Sequence, residues 1–194
     1  MAFFRLVPNL TIMAPKDFKE LEEMLEFAVT LNKPVVIRYP RGGEGKVKFQ
    51  KHEMLEEEKA EILKEGNDIT IIAIGKSVSK AMDIADNIKK DDIEAEIINA
   101  RFLKPLDRET IKKSIIKTKR VITIEDGTSI NGLGTAVKEL IIEEKIKDVE
   151  ITTYSYPDEY IKHGTVEQLE KIYGLDTKTI EERIKKAFKG EVYE

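Results

Sequence analysis

The sequence predicts an α/β protein, in which a strand–helix–strand (βαβ) unit precedes a three-layer domain with a mostly parallel sheet. Three observations lead to this prediction. Short apolar runs, typical of buried strands, alternate with segments whose apolar residues recur every three or four positions, as in amphipathic helices. Proline and glycine punctuate these segments. The repeated strand–helix–strand order favours parallel strand pairs joined by helical crossovers.

The first element is a predicted strand at residues 10–13, Leu-Thr-Ile-Met, which Pro15 ends. A helix is expected over residues 17–31, because Asp17 and Glu20 have the spacing of a capping box. Six apolar residues fall on one face of that helix: Phe18, Leu21, Met24, Leu25, Ala28 and Val29.

A second strand, residues 34–39, completes this unit. Pro34 ends the helix, since the residue before a proline is pushed out of the α region, and the apolar run that follows predicts a strand buried on both faces. We assign residues 1–45 to this unit and a linker to residues 46–60, where charged residues show little periodicity. One βαβ unit cannot bury both faces of its sheet, so we expect it to pack against further protein.

Residues 61–194 predict the three-layer domain. Strands are expected at residues 69–74, 93–98, 121–124 and 149–154, with helices that begin near Gly75, Asp107 and Leu133. The first and third of these strands are expected to be neighbours in one sheet. A capping box at Thr165 and Gln168 begins a short helix that Gly174 caps. The last helix has three apolar residues on one face: Ile180, Ile184 and Phe188.

Composition excludes several classes of protein. The 33 Lys and Arg nearly balance 37 Asp and Glu, so there is no basic excess for a nucleic-acid surface. No run approaches the roughly 18 apolar residues of a membrane span, and the first residues do not resemble a secretory signal, so a cytoplasmic protein is expected. With no cysteine and only two histidines, His52 and His163, no disulfide, thiolate nucleophile or His-rich metal centre is expected.

Arg38 and Arg41 are the candidate binding residues. They follow the second predicted strand, in Arg-Tyr-Pro-Arg-Gly-Gly, at the carboxyl end where open α/β sheets form ligand crevices. A guanidinium presents a fork of donors that matches a phosphate or carboxylate, and it keeps its charge. An ordinary strand end with a salt-bridged arginine would show the same pattern.

Other polar features have structural alternatives. Glu125 and Asp126 suit a substrate or Mg²⁺ contact, but a helix cap or an interface is favoured. Gly132-Leu133-Gly134 suits packing and capping better than phosphate binding, because neither G-x-G-x-x-G nor a Walker lysine is present. His163 has no nucleophile–base–orienter set nearby, so a structural role is favoured. His52, in the charged linker, is expected to be solvated.

Five segments resemble, in the same order, motifs of the 1-deoxy-D-xylulose-5-phosphate synthases, a family of the transketolase superfamily. They are residues 7–17 (VPNLTIMAPKD, similar to "IPN-x-x-IMAPKD"), 37–42 (IRYPRG, similar to "RYPRG"), 99–107 (NARFLKPLD, similar to "NARF-x-KPLD"), 125–134 (similar to "E-(E/D)-x…GG-x-G") and 157–164 (PDEYIKHG, similar to "PDEFI-x-HG"). The resemblance covers essentially the whole chain.

The resemblance implies a subunit of three α/β domains. Residues 1–45 would end the pyrimidine-binding domain, and residues 61–194 would form the transketolase C-terminal domain. The family condenses pyruvate with D-glyceraldehyde 3-phosphate, releasing CO₂, on thiamine diphosphate and Mg²⁺, for isoprenoid and thiamine biosynthesis, and it works as a homodimer. Arg41 matches the RYPRG arginine that binds the acceptor phosphate, and Arg38 is a second candidate.

The same resemblance implies that this chain is inactive alone. Loss of the thiazolium C2 proton needs a glutamate that would lie before Met1, and the diphosphate and Mg²⁺ need a Gly-Asp-Gly segment that this sequence lacks. No catalytic, cofactor-binding or metal-binding residue is therefore expected here. The alternative is a non-catalytic C-terminal subunit or dimerisation module of a split transketolase-like enzyme, and the reading frame upstream of Met1 would distinguish the two.

Overall fold

The computed structural model describes residues 1–43, 45–50 and 52–190. Its strands are β1 (Thr11–Met13), β2 (Val35–Ile37), β3 (Glu61–Lys64), β4 (Ile69–Ala73), β5 (Ala95–Asn99), β6 (Phe102–Lys104), β7 (Arg120–Thr128) and β8 (Glu150–Tyr156). Its α-helices are α1 (Phe18–Thr30), α2 (Ser77–Ile88), α3 (Arg108–Thr118), α4 (Leu133–Glu143), α5 (Val166–Ile172) and α6 (Thr177–Phe188). Short 3₁₀ helices occupy Ala2–Leu6 and Lys89–Asp91.

A five-stranded sheet, in the order β3-β5-β4-β7-β8, organises the larger part of the chain. Strands β5, β4, β7 and β8 are parallel, and β3 pairs antiparallel with β5 at the edge. Because β4 and β7 pair directly, the predicted adjacency of the first and third strands is confirmed. Strand β3 was not predicted, because its Glu-Ile-Leu-Lys follows a charged stretch and has no run of apolar residues.

Helices cover both faces of this sheet, so the predicted three-layer α/β architecture is confirmed. On one face, Ile84 of α2 and Ile180 of α6 pack against the strands. On the other face, Ile115 of α3 and Val137 of α4 do so, together with Ile12 of β1. The capping box at the start of α5 is present as predicted, and Gly174 follows the helix with a φ of 66°.

A second sheet, in the order β2-β1-β6, joins the two parts of the chain. Strands β1 and β2 are parallel, as the βαβ prediction requires, and β6 pairs antiparallel with β1. Strand β6 was not predicted: it has three residues, and only two residues separate it from the end of β5. The expected burial of the second strand on both faces is wrong: β2 is an edge strand and only half-buried.

Helix α1 begins as predicted, because the Asp17 side chain accepts a hydrogen bond from the Glu20 amide at 2.8 Å. Its predicted apolar face is only partly buried. Met24 is fully enclosed, whereas Phe18, Leu25 and Val29 are 57, 53 and 86 % exposed. The helix instead buries Glu20, for a reason that lies in the site described below.

The described residues of the predicted linker, 46–50 and 52–60, form no helix or strand, but they are tied to both parts of the chain. The backbone amide of Val47 donates to Ser79 Oγ of α2 at 3.1 Å. His52 is not solvated, contrary to expectation: its Nε2 lies 2.8 Å from Asp17 Oδ2, and its side chain is 14 % exposed. The predicted linker therefore holds α1 and α2 together.

Candidate functional site

The carboxyl ends of β2 and β7 and the start of α2 meet at one edge of the molecule. The Arg38 guanidinium, just after β2, donates to Asp126 Oδ2 of β7 at 3.1 Å. Lys76, directly before α2, places its ammonium 3.4 Å from the same oxygen. Asp126 therefore has the interface role that was favoured from the sequence. It forms an ion pair with Arg38, one of the two candidate arginines.

Arg41 lies beyond this contact. The chain that leads to Arg41 is anchored three residues earlier. There the amide of Arg38 donates to the Met13 carbonyl at 2.9 Å and extends the β1–β2 pairing. Gly42 follows with a φ of 136°, a conformation that glycine adopts readily. The Arg41 side chain is exposed, and no acidic group in the described part of the chain pairs with it. Its guanidinium is therefore free to bind an anion, whereas that of Arg38 is held by Asp126.

Glu125 caps a helix, as favoured from the sequence. Its Oε1 accepts a hydrogen bond from the Gly134 amide at 3.0 Å, in the first turn of α4, and it is 5 % exposed. Burial raises the pKa of this carboxyl, although the amides of Gly134 and Leu133 and the charge of Arg38 act in the opposite direction. A Cβ on Gly132 would lie 2.3 Å from Glu125 Oε2, so these glycines serve packing and capping.

His163 is exposed and lines a shallow depression with Gly164 and Gln168, and Arg41 is not among the residues that line it.

Across residues 1–43, 45–50 and 52–190, no group of three or more His, Asp or Glu side chains is arranged to hold a metal ion. The described side chains therefore do not fit the Mg²⁺ of the family cofactor, and we derive no step through it. Among the same residues, no helix is long and apolar enough to span a bilayer.

A buried ionic cluster was not found by the sequence analysis. Its five members are between 0 and 3 % exposed: Lys16, Glu20, Glu61, Asn99 and Arg101. Lys16 Nζ lies 2.9 Å from Glu20 Oε1 and 2.7 Å from Glu61 Oε2, and Arg101 Nε lies 2.8 Å from Glu20 Oε1.

The signal for this cluster was present in the sequence. Lys16, Asn99 and Arg101 stand in two of the motif segments that carry the family resemblance, 7–17 and 99–107. Charged residues inside otherwise apolar motifs are candidates for buried pairs, because charges are almost never fully buried without a partner.

Comparison with known proteins places this chain in a family. Residues 58–180 match the family described as "Transketolase, C-terminal domain", and residues 1–44 match "Transketolase, pyrimidine binding domain". A solved structure titled "Split gene transketolase, inactive beta4 tetramer" is 31 % identical, with a TM-score of 0.88 over 96 % of this chain and 60 % of that one. A transketolase from Pichia stipitis, solved with sedoheptulose 7-phosphate, shares the fold at 17 % identity and a TM-score of 0.71.

The chain belongs to the transketolase family. Within it, the curated relatives that the chain resembles are named 1-deoxy-D-xylulose-5-phosphate synthase. One from Caldanaerobacter subterraneus is 39 % identical over 97 % of this chain, and one from Desulforudis audaxviator is 43 % identical over 90 %. The resemblance stated from the motifs is thereby confirmed. The chain spans 30 and 28 % of the length of these two relatives.

Proposed function

We propose that this chain is the carboxy-terminal part of a 1-deoxy-D-xylulose-5-phosphate synthase subunit, in a cytoplasmic homodimer. The whole enzyme would condense pyruvate with D-glyceraldehyde 3-phosphate, with release of CO₂, for isoprenoid and thiamine biosynthesis. The relatives' names and the five ordered motif segments support this proposal. As domain boundaries we propose 1–45 for the end of the pyrimidine-binding domain, 46–60 for the linker and 61–194 for the C-terminal domain.

Thiamine diphosphate, with Mg²⁺, would supply the carbanion chemistry of the whole enzyme. We assign its binding and activation to parts of the subunit outside this chain, because the described residues offer no metal site. We therefore propose that the chain is inactive alone and contains no catalytic residue. Its own contribution would be to bind and orient the phosphorylated aldehyde.

Arg41 is the proposed phosphate-binding residue, and its exposed, unpaired guanidinium among the described residues is the observation that carries this proposal. A guanidinium forms two parallel charge-assisted hydrogen bonds with a phosphate, which fixes the orientation of the ligand as well as its affinity. Arg38 stays a second candidate. It contributes positive charge near the strand end, but its pairing with Asp126 favours a structural role.

The direct test is activity of the complete subunit. We expect the full-length protein that contains this chain, supplied with thiamine diphosphate and Mg²⁺, to form 1-deoxy-D-xylulose 5-phosphate from pyruvate and D-glyceraldehyde 3-phosphate. Replacing the acceptor with unphosphorylated D-glyceraldehyde is the matched control, and it should raise the acceptor KM strongly. A protein that loads cofactor but forms no product with the phosphorylated acceptor would overturn the proposal.

A second candidate is a non-catalytic subunit or dimerisation module of a split transketolase-like enzyme. The solved split-gene transketolase favours it, because this chain matches more than half of that one. The gene decides between the candidates. A reading frame that continues upstream of Met1 through a Gly-Asp-Gly segment supports the synthase subunit, and a separate upstream gene that encodes the catalytic part supports the split enzyme.

A further inference from the structure

The buried ionic cluster of Lys16, Glu20, Glu61, Asn99 and Arg101 is nearly neutral, with two cations and two carboxylates. Asn99 Nδ2 donates to both carboxylates, at 3.0 Å to Glu20 Oε1 and 3.1 Å to Glu61 Oε2. Burial opposes ionisation of Glu61, yet the hydrogen bond from Lys16 and the charge of Arg101 hold the pKa of Glu61 below its ordinary value. The Glu61 carboxyl is thus held in its charged form inside the cluster.

Stability alone does not account for such a cluster. Replacing a buried ion pair with well-packed apolar residues is often neutral or stabilising, because desolvation offsets the attraction between the charges. What a fully bonded cluster provides is one defined geometry, since every donor and acceptor has a fixed partner. The question is which parts of the molecule this geometry fixes.

The cluster joins the two segments that match different family domains. Lys16 and Glu20 belong to the first segment, and Glu61, Asn99 and Arg101 belong to the second. One backbone bond follows the same connection, because the Ala14 amide donates to the Arg101 carbonyl at 3.0 Å. Within the first segment, the Lys16 amide donates to Glu20 Oε2 at 2.7 Å. The turn after β1 is therefore held from the second segment by Arg101 and, through Lys16, by Glu61.

That turn borders the segment that contains Arg41. Before Arg41, β2 is paired with β1, whose end leads directly into the turn. After Arg41, the chain returns to the cluster: the Phe49 ring centroid lies 5.5 Å from Lys16 Nζ, and Arg101 Nη2 donates to the Glu53 carbonyl at 2.9 Å. Arg41 thus lies between two points that the same five buried side chains hold.

We propose that Arg101 and Lys16 are positioning residues for Arg41, which means that the C-terminal domain sets the place of the phosphate-binding guanidinium through the buried cluster. This inference rests on the proposed function. Neither residue would touch the substrate. Their loss would displace the segment on either side of Arg41 and weaken capture of the phosphorylated aldehyde, while pyruvate, which has no phosphate, would be much less affected.

The test is a double-mutant cycle in the full-length synthase, with Arg101→Lys and Arg41→Ala singly and together. Lysine keeps the buried charge and so preserves folding, but it cannot bond Glu20, Glu61 and the Glu53 carbonyl as the guanidinium does. We expect Arg101→Lys to raise the aldehyde KM on the order of tenfold, because small misplacements of a binding group weaken its action sharply. The pyruvate KM should change little, and thermal unfolding shows whether the variant is folded.

The cycle separates positioning from a general structural effect. If Arg101 acts through Arg41, Arg101→Lys causes no further rise of the aldehyde KM once Arg41 is alanine. If the two residues act independently, the fold-changes of the two single variants multiply in the double variant. A charge-neutral second variant, Lys16→Met with Glu61→Gln, should give the same non-additivity. Lys185→Met, which breaks the exposed pair with Asp91, is the matched control and should leave every KM unchanged.

Two failures are distinguishable. If Arg41→Ala itself leaves the aldehyde KM unchanged, the proposed phosphate site is wrong. If Arg41→Ala raises the aldehyde KM, the positioning role is tested by Arg101→Lys and the neutral pair, both folded. The positioning role is wrong if these variants leave the aldehyde KM unchanged, or if their effect on it is independent of Arg41→Ala. Should the neutral pair fail to fold, Arg101→Lys alone decides by the same criterion.

Discussion

Gly66, in the turn between β3 and β4, shows how a single residue can fix the approach of two strands. A Cβ at this position would lie 2.3 Å from the Ala95 carbonyl carbon and 2.4 Å from the Glu96 amide nitrogen. Both atoms belong to the backbone of β5 and cannot rotate away. Only glycine permits the β3–β4 turn to lie this close to the central strands.

We therefore predict that Gly66→Ala destabilises this chain by about 1–3 kcal/mol, the range for overpacking a close contact. Gly43→Ala is the matched control, because a Cβ there meets nothing within 4 Å. Urea unfolding of both variants measures the difference. Equal stability of the two would show that β5 does not approach Gly66 as described.

Glu61 makes a pH-dependent contribution to stability. The pKa of Glu61 is lowered in the folded protein, because Lys16 and Arg101 outweigh the effect of burial. The folded state thus binds fewer protons than the unfolded state near this pKa, so the contribution is complete above the ordinary glutamate value of about 4.3 and is lost as pH falls through the lower folded pKa.

The corresponding variant is Glu61→Gln. At pH 7 it should unfold more easily by about 3 kcal/mol, since breaking a buried pair leaves Lys16 and Arg101 undercompensated. The gap to the original protein should narrow as pH falls from the ordinary glutamate value of about 4.3 through the lower folded pKa of Glu61. Thermal midpoints measured from pH 7 to pH 3 check this, and a gap that widens with acid would contradict it.

At the scale of elements, β6 is the strand on which the connection between the two sheets depends. Phe102 of β6 is fully buried, and its ring packs edge-to-face on Phe27 of α1, with centroids 6.3 Å apart. The same strand pairs with β1. One short strand thus joins the βαβ unit to the larger domain.

We expect Phe102→Ala to lower stability by about 3–5 kcal/mol, the usual loss for a large aromatic side chain in a core. Phe3→Ala is the control, because Phe3 is 76 % exposed. Differential scanning calorimetry of the two variants is the measurement. A Phe102→Ala midpoint equal to that of Phe3→Ala would mean that β6 does not hold the βαβ unit in place.

Elements with strong local signals were predictable from the sequence. The apolar runs of β4 and β7 and the capping residues Asp17 and Thr165 gave the order and the starts of the elements correctly. Strands β3 and β6 were not predictable in the same way, because each is short and is stabilised by pairing with a distant strand rather than by its own pattern.

The site was predictable only in part, for a related reason. Arg38, Arg41, Glu125 and Asp126 were recognised as candidates because they follow strands, but which arginine is paired depends on Asp126, 88 residues further along the chain from Arg38. The same applies to Glu20, whose burial in an otherwise amphipathic helix depends on Lys16 and on Arg101, 81 residues away. Local periodicity has no information about such distant partners.

At the scale of the whole molecule, the account predicts that this chain alone does not bind thiamine diphosphate. The physical reason is that the described residues include no group of three or more carboxylate or imidazole side chains arranged to hold the Mg²⁺ that accompanies the diphosphate. Titration calorimetry with cofactor and Mg²⁺ should give no heat of binding for the 194-residue chain. Micromolar affinity would contradict the prediction.

The phosphate-binding role of Arg41 is tested by steady-state kinetics of Arg41→Ala in the full-length enzyme, with each substrate varied separately. Loss of the guanidinium fork removes charge-assisted hydrogen bonds worth about 1.5–3 kcal/mol each. The KM for D-glyceraldehyde 3-phosphate should therefore rise by roughly one to a few powers of ten, with Arg41→Lys giving only partial recovery.

Two controls accompany it. Unphosphorylated D-glyceraldehyde should react equally with both enzymes, and Arg120→Ala, at the opposite, amino-terminal end of β7, should behave like the original. The pyruvate KM should be nearly constant throughout. An Arg41→Ala enzyme whose KM for D-glyceraldehyde 3-phosphate is unchanged would contradict the account.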